Sequence, residues 1–404
     1  MKKSASNSNL TQAKNAKNDE FYTQYQDIEK EVMAYFEYNK DVFRGKTILL
    51  PCDDPEWSNF TKFFAQNFQR LGLKKLISTS YAPESKRYKY GYQPSLFEVN
   101  DAQFDETKTN IKGKIFTLTR DKSGDGKIDV DDLEWSYLQD DGDFRSSEVI
   151  ALRNEADIII TNPPFSLFRE FLAWIVEADK KFILIGSKNA ITYKEVFPLI
   201  KEDKMWVGAT SFNKDMLFIS PEEVNPEDKP STATRTVDGV VYLRSPSVWF
   251  TNLDHGRRHE KLPLMTMADN IKFNKHKEIQ GKGYQKYDNY DAIEVPFTDS
   301  IPSDYDGVMG VPISFLDKYS PEQFEILGAT QRGCHDEVPD IKKYDDYWEV
   351  RQNGEKTGSS GGKTNENANL EGNDGKKNYF INKDGHIIQS AYQRIFIRHR
   401  NPQS

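Results

Sequence analysis

Only two cysteines, Cys52 and Cys334, occur in the 404 residues, too few and too far apart for a disulfide framework or the paired spacing of a structural zinc site. A reducing cytoplasm is the compartment this implies. No apolar run approaches the roughly 20 residues that a membrane-crossing helix needs, and residues 1–17 lack the apolar core of a secretory leader, so no membrane partner is expected. Excess positive charge is missing too: 63 acids against 55 Lys and Arg leave a net charge of −8, which weighs against a uniformly basic surface for nucleic acid. No solenoid-length repeat is present. With 37% hydrophobic and 29% charged residues, the chain has core material for two or three domains but must carry much loop and surface.

What is present is organised around residues 158–168, Ile-Ile-Ile-Thr-Asn-Pro-Pro-Phe-Ser-Leu-Phe. A β-branched run without polar alternation predicts a parallel strand covered on both faces. Two consecutive prolines fix φ and bring no N–H, so the turn can present the Asn162 and Pro163 carbonyls as acceptors. At the carboxyl end of a central strand of an open α/β sheet, such a turn falls where ligands bind. The side chain of Asn162, the carbonyl of Pro163, the rigid Pro164 and the ring of Phe165 suit a planar group bearing an exocyclic amine, held by stacking and by donation to two oxygens. The plainer alternative is a strand-ending Pro-Pro with Phe165 in the core. Ser166 as a cap, with Phe168, Phe171, Leu172 and Ile175 at helical spacing, predicts a helix directly after the turn.

Residues 1–17 set Lys2, Lys3, Lys14 and Lys17 among Ser and Asn, the composition of a flexible basic tail. Asp19-Glu20-Phe21-Tyr22-Thr23 then leads into an amphipathic helix marked by Ile28, Val32, Tyr35 and Phe36. Residues 47–51 predict a first strand. Cys52-Asp53-Asp54-Pro55 follows, and then a helix with Phe60, Phe63, Phe64, Phe68 and Leu71 in one stripe, ended by Gly72. Residues 75–80 predict a second strand, and 82–140 an insertion or an excursion from the sheet. Asp143-Phe144 precedes the central strand by one helix length. Beyond the central helix, 181–186 predicts a strand, 191–200 a helix, and 204–209 with 247–253 an antiparallel pair closing the sheet around a long loop at 212–238.

Residues 121–132 place Asp121, Ser123, Asp125, Asp129 and Asp132 at positions 1, 3, 5, 9 and 12 with Gly126 at 6, the spacing of a calcium loop. Asp instead of Glu at the last position, and a strand instead of a helix before it, leave an acidic hairpin turn as the other reading. After residue 255 basic side chains gather at Arg257, Arg258, His259 and Lys261, at Lys272, Lys275, Lys277, Lys282 and Lys286, and at Arg394, Arg398 and Arg400. Such patches can take phosphate on an acidic protein; a solvated face is the plainer reading. A helix is expected at 321–327, a Gly/Ser/Asn-rich flexible loop at 354–377, and a last strand at 387–399.

Six stretches carry a resemblance. They are Asp-Glu-Phe-Tyr-Thr-Gln-Tyr (19–25), Cys-Asp-Asp-Pro (52–55), Gly-Asp-Phe-Arg-Ser-Ser-Glu (142–148), Thr-Asn-Pro-Pro-Phe-Ser-Leu-Phe-Arg-Glu (161–170), Trp-Phe-Thr-Asn-Leu-Asp-His-Gly (249–256) and Asp-Gly-Val-Met-Gly-Val-Pro-Ile-Ser-Phe-Leu-Asp-Lys-Tyr (306–319). In this order they resemble the EcoRI-type adenine-specific DNA methyltransferases, over roughly residues 18–400. The resemblance implies an α/β, Rossmann-like S-adenosylmethionine-dependent methyltransferase sheet at 18–255 and a C-terminal target-recognition region at 256–404. It implies a bacterial, cytoplasmic enzyme of a restriction–modification system that methylates N6 of an adenine flipped out of double-stranded DNA, without a stable complex with its endonuclease.

By the same resemblance Asn162, Pro163, Pro164 and Phe165 are catalytic. Phe21, Tyr22 and Thr23 flank the methionine end of the cofactor, and Asp143 and Phe144 hold its adenine; independently of the resemblance, a carboxylate of Asp53 or Asp54 can accept from the cationic amino group of the methionine moiety. Arg257, Arg258, His259 and Lys261 are the candidate DNA contacts. No catalytic metal is expected, since a sulfonium already activates its methyl group. The chain departs from methyltransferase habit in having acids and Pro55 where a Gly-rich turn usually follows the first strand. Rival readings are an amino-group methyltransferase acting on cytosine N4, RNA or a protein glutamine, and a non-catalytic calcium- or DNA-binding module.

Overall fold

The computed structural model of the chain describes residues 22–53, 58–82, 101, 103–210, 212, 215–219, 234–330, 338, 342–373, 377–391 and 393–402. The expected tail at 1–17, Phe21, Asp54 and the side chain of Tyr22 lie outside the described residues. The chain divides into two units, Met1–Lys188 with Met205–Gly256, and Asn189–Lys204 with Arg257–Ser404. The segment 189–204, read from sequence as part of the catalytic core, thus groups with the second unit.

The first unit is built on one mixed sheet. Its strands are β2 (Thr47–Leu50), β3 (Lys75–Ser80), β4 (Lys114–Leu118), β5 (Glu134–Tyr137), β6 (Ile158–Thr161), β7 (Lys181–Ser187), β8 (Trp206–Val207) and β12 (Ser247–Thr251), in the spatial order β5-β4-β3-β2-β6-β7-β12-β8. The central four, β3-β2-β6-β7, are parallel. Every residue of β2 and β6 is buried, as strands covered on both faces require. From β2 the chain winds first to β3 on one side and later to β6 on the other, so the winding reverses between β2 and β6. That reversal opens a crevice at their carboxyl ends.

Of the expected insertion at 82–140, residues 83–100 and 102 lie outside the described residues; β4 and β5 extend the sheet antiparallel beyond β3. On the far side β12 and β8 form the expected antiparallel closing pair. The expected loop at 212–238 instead holds β9 (Met216–Ile219) and β10 (Thr234–Val237), which join β1 (Tyr22–Thr23) and β11 (Val240–Ser245) in a small sheet ordered β1-β9-β11-β10. Asp238 and Gly239, with φ of 50° and 81°, supply the tight turn between β10 and β11, which needs two left-handed residues.

Among the described residues, the longer helices of the first unit pack with the large sheet. Helix α1 (Tyr25–Tyr38) buries Ile28, Val32, Met33 and Tyr35. Helix α2 (Asn59–Gln66) starts at Ser58, whose Oγ accepts from the Phe60 N–H, and a further turn, Phe68–Leu71, ends at left-handed Gly72. Phe60, Phe63, Phe64 and Phe68 are all buried, roughly 1.5–3 kcal/mol of apolar transfer each. Helix α3 (Ser147–Glu155) is capped by Ser146, and α4 (Phe168–Glu177) buries Phe168, Phe171, Leu172, Trp174 and Ile175.

The second unit carries helices α5 (Phe197–Lys201) and α6 (Met267–Phe273) and two sheets. One comprises β13 (Ala292–Glu294), β14 (Val308–Pro312), β15 (Phe324–Ala329) and β21 (Arg394–His399), ordered β13-β14-β21-β15. The other comprises β16 (Trp348–Arg351), β17 (Lys356–Ser360), β18 (Asn369–Glu371), β19 (Asn378–Ile381) and β20 (Ile387–Ser390), ordered β17-β16-β19-β20-β18. Here the sequence reading fails in three places. The expected helix at 321–327 is mostly β15, recruited by pairing with β21; the expected loop at 354–377 contains β17 and β18; the single strand expected at 387–399 is two strands in different sheets. Among the described residues no helix is long and apolar enough to cross a membrane.

Candidate active site

At the crevice, the first residues beyond β2 are tied to their neighbours by buried hydrogen bonds. Asp53 is 5% exposed. Its Oδ1 accepts from Ser58 Oγ at 2.7 Å and its Oδ2 from Thr161 Oγ1. Its backbone carbonyl accepts from Thr61 Oγ1 at 3.2 Å and from Ser78 Oγ, and the Pro51 carbonyl accepts from Thr79 Oγ1 at 3.0 Å. The ends of β2, β3 and β6 and the start of α2 are therefore locked together in a low-dielectric network. Thr161 is the residue just before Asn162.

The turn 162–165 follows directly. A 3-10 turn, Phe165–Leu167, closes on the Pro164 carbonyl, which accepts from the Leu167 N–H at 2.9 Å. Ser166 is not the cap of α4: Leu167 holds that position with no side-chain bond, because the 3-10 turn intervenes. No described residue donates to the Pro163 carbonyl. Phe165 is half-buried and meets buried Phe218 edge-on, 6.4 Å between centroids at 84°. Phe218 lies on β9 opposite Thr23, so one strand supports both the aromatic of the turn and the lead-in to α1. At the other end Phe168 sits against Gly186 of β7, where a Cβ would come within 2.5 Å of the ring. Only glycine lets α4 start this close to the sheet.

Next to Phe218 in the pairing of β1 with β9, two buried polar atoms, Thr23 Oγ1 and Gln24 Nε2, have no partner among the described residues. Thr23 is 3% exposed, its carbonyl held by Asn59 Nδ2 at 2.8 Å. Gln24 is the N-cap residue of the 14-residue α1, yet its side chain makes no capping bond. Buried groups left so cost about 1–3 kcal/mol each, and the positive end of a helix lies beside them. An anionic ligand group matches both features.

Asp143 and Phe144 are placed by a close backbone crossing. Gly142, at φ 85°, packs on the Ser80 carbonyl at the end of β3 and on Gly113, and a Cβ on Gly142 would lie 2.3 Å from that carbonyl. The Asp143 carboxylate accepts from Arg145 Nε at 2.8 Å and from its Nη2 at 2.6 Å. Arg145 also reaches Glu170 at 3.2 Å. The hydrogen-bonded Asp143 carboxylate raises the Arg145 pKa and keeps the guanidinium charged. Phe144 is buried on α4, 5.1 Å from Phe171 and 5.6 Å from Trp174.

Other expected site residues are engaged elsewhere. Arg257 pairs with buried Asp317 at 2.6 Å, Arg258 with Asp203, and His259 Nδ1 with Glu322 at 2.6 Å; Lys261 is exposed. Arg394 makes a bidentate buried pair with Glu294, Arg398 pairs with Glu325 at 2.9 Å, and Arg400 donates to the Pro321 carbonyl. In the 121–132 loop the carboxylates cap backbone N–H groups. Asp121 accepts from Gly124 and Gly126, Asp125 from Lys127, Asp129 from Asp131, and Asp132 from Lys122, Ser123 and Asp129. Ile128, Val130 and Leu133 pack on the core beneath. Among the described residues no group of three or more His, Cys, Asp or Glu is arranged to hold a metal ion.

An open sheet with an Asn-Pro-Pro-Phe turn at the carboxyl end of β6, beside its switch point, is the arrangement of an amino-group methyltransferase. The family described as Adenine-specific methyltransferase EcoRI matches residues 9–400. The chain is 44% identical to the type II methyltransferase M.EcoRI of Escherichia coli over 81% of its own length and 90% of that protein. It is 34% identical to the type II methyltransferase M.MpnI of Mycoplasma pneumoniae over 79% of its length and 84% of that protein, and 35% identical to M.MgeORF184P of Mycoplasma genitalium over 79% and 85%. No solved structure gives a significant match. The chain belongs to the EcoRI adenine-specific methyltransferase family: it is an adenine-specific DNA methyltransferase and takes its methyl group from S-adenosylmethionine. Thr23 Oγ1 and Gln24 Nε2, without partners among the described residues, are hydrogen-bond donors of the kind a cofactor carboxylate takes.

Several residues of this site escaped the sequence reading. Ser58, Thr61, Ser78 and Thr161 look like ordinary strand and cap residues in one dimension; the entry into α2 and the pairing of β2 with β3 and β6 make them partners of Asp53. Phe218 lay in a stretch read as loop. Arg145 could have been found, since it follows Asp143 by two residues.

Proposed function

We propose that this chain methylates N6 of an adenine swung out of duplex DNA, as the modification member of a restriction–modification pair in a bacterial cytoplasm, acting independently of its endonuclease. The observation that supports it best is the position of Asn162, Pro163, Pro164 and Phe165 at the carboxyl end of β6, fastened to β2 through Thr161 and Asp53.

Adenine N6 is a poor nucleophile because its lone pair is delocalised into the ring, and it is out of reach in a stacked helix. The Asn162 side-chain oxygen and the Pro163 carbonyl accept the two N6 hydrogens, drawing the amine toward tetrahedral geometry. Phe165, braced by Phe218, stacks on the base. Thr23 and Gln24 at the start of α1 receive the carboxylate of the methionine moiety, with Tyr22 beside them. Asp143 and Phe144 border its adenine, Asp143 sharing its oxygens with Arg145. When bound, S-adenosylmethionine supplies a methyl group already made electrophilic by its sulfonium. Positioning then carries most of the rate enhancement.

Base-resolved mapping of DNA from a bacterial host expressing the chain tests this. N6-methyladenine at one recurring sequence is expected, and it should vanish with Asn162→Ala. Methylcytosine alone would overturn the assignment.

A further inference from the structure

The basic residues of the second unit differ in what they are doing. Arg257, Arg258, His259, Arg394 and Arg398 are each paired with a carboxylate. In the segment 267–286, by contrast, five lysines face two acids, Asp269 and Glu278. Lys275 is paired with Asp299 at 2.7 Å and Lys286 lies 3.8 Å from Asp291. Lys272, Lys277 and Lys282 are exposed and form no ion pair with a described residue. At the end of α6, between Lys272 and Lys275, stands Phe273, 60% exposed. Lys272 Nζ lies 4.8 Å from its ring centre.

This ring is not on a loose loop. Buried Asn274 donates to Asn270 Oδ1 at 2.6 Å and accepts from the His276 N–H at 2.9 Å. The Gly281 N–H returns to the Ile271 carbonyl at 2.8 Å. His276 stacks on Phe297 at 3.7 Å and bonds to Asp299. An aromatic held exposed on a hydrogen-bonded base offers a face to stack on; Lys272 beside it, and Lys277 and Lys282 exposed in the same segment, supply charge of the sign that phosphate needs.

The geometry points to the Phe273 platform, with Lys272, Lys277 and Lys282, as a surface that grips duplex DNA, the lysines on phosphates and the ring against a base or sugar. The inference rests on DNA being the substrate and moves the phosphate contacts from 257–261 to 272–282. A protein partner would want apolar neighbours around the ring; the group set against it here is the Lys272 ammonium.

The test uses the full chain and a duplex containing the mapped methylation sequence, with affinity followed between about 50 and 200 mM salt. The triple variant Lys272→Gln, Lys277→Gln, Lys282→Gln should lower the slope of log affinity against log salt by about 2.7, at roughly 0.9 per phosphate contact. Replacing the same three with Arg should restore it. Phe273→Ala should weaken binding at fixed salt by about fivefold or more, with an unchanged slope. Both variants should keep the wild-type melting temperature and S-adenosylmethionine affinity. A wild-type slope in the triple variant, while wild-type protein binds and methylates DNA, would overturn this surface alone. No salt-dependent DNA binding by wild-type protein would overturn the surface and the proposed function together.

Discussion

Replacing Asp53 separates two roles that one carboxylate could play. Both of its oxygens accept from buried hydroxyls, Ser58 Oγ and Thr161 Oγ1. Asp53→Ala leaves those two hydroxyls without their acceptor. At about 1–3 kcal/mol per unsatisfied buried group, the loss is about 2–6 kcal/mol, against a total stability on the order of 5–15 kcal/mol. Asp53→Asn keeps one acceptor oxygen and offers an N–H to the other hydroxyl, so about 1 kcal/mol is expected. Urea unfolding at neutral pH measures both, with calorimetric titration of S-adenosylmethionine and single-turnover methylation alongside. If Asp53 is the latch between β2 and β6, Asp53→Asn should bind cofactor almost normally. Its methylation should fall more than its binding, because Thr161 sets the position of Asn162. If the carboxylate instead receives the cofactor ammonium, as the sequence suggested, Asp53→Asn should lose cofactor affinity at little cost in stability. An Asp53→Ala protein within about 0.5 kcal/mol of wild type, the range of ordinary surface changes, would refute the latch.

Asn162→Ala should cut single-turnover methylation by about 100- to 1000-fold, by analogy with loss of one preorganised polar contact, while cofactor affinity stays within a few-fold; near-wild-type turnover at saturating DNA would make the turn merely structural. Gly186→Ala should destabilise by about 1–3 kcal/mol through overpacking, since its Cβ would lie 2.5 Å from the buried Phe168 ring; an unchanged urea midpoint would mean α4 can retreat freely. His399, 6% exposed, meets the Pro302 carbonyl through Nε2 at 2.8 Å, and burial lowers its pKa below 6.5. The neutral ring is thus favoured in the folded state, so its contribution is complete above the unfolded value near 6.5 and is lost as pH falls through the lower folded value. Wild type should therefore lose more urea stability than His399→Gln between about pH 7 and pH 5; parallel losses would remove His399 as the cause.

The central strands were legible because their burial is written locally. Ile158, Ile159 and Ile160 in succession cannot serve a half-exposed sheet, and the Phe stripe of α2 has one helical period; both survive in the structure, apart from a break at Asn67. The small sheet and the second unit were not legible for the opposite reason. Strand β15 acquires its conformation by pairing with β21, some 70 residues later, and β17 and β18 contain Gly, Ser and Asn with little apolar content. Strand β18, like β15, takes its place from a partner outside a local window, here β20.

Charge was the least legible feature. In one dimension Arg257-Arg258-His259 is a denser basic run than Lys272, Lys277 and Lys282; both clusters read as patches able to take phosphate, and the denser one drew the residue-level DNA assignment. Asp317, Asp203 and Glu322, which answer those three side chains, lie 60, 55 and 63 residues away in sequence. A paired cation has already given much of its field to its carboxylate, and drawing it onto phosphate would leave that acid exposed to another negative charge. Unpaired lysines on a surface have no such competitor. The same reasoning separates Thr23 from Asp53 inside the crevice. Both were expected to touch the cofactor on sequence grounds, but Asp53 already accepts from two hydroxyls, whereas Thr23 Oγ1 is buried with no partner among the described residues. The group with unmet hydrogen-bonding capacity gains most from a ligand.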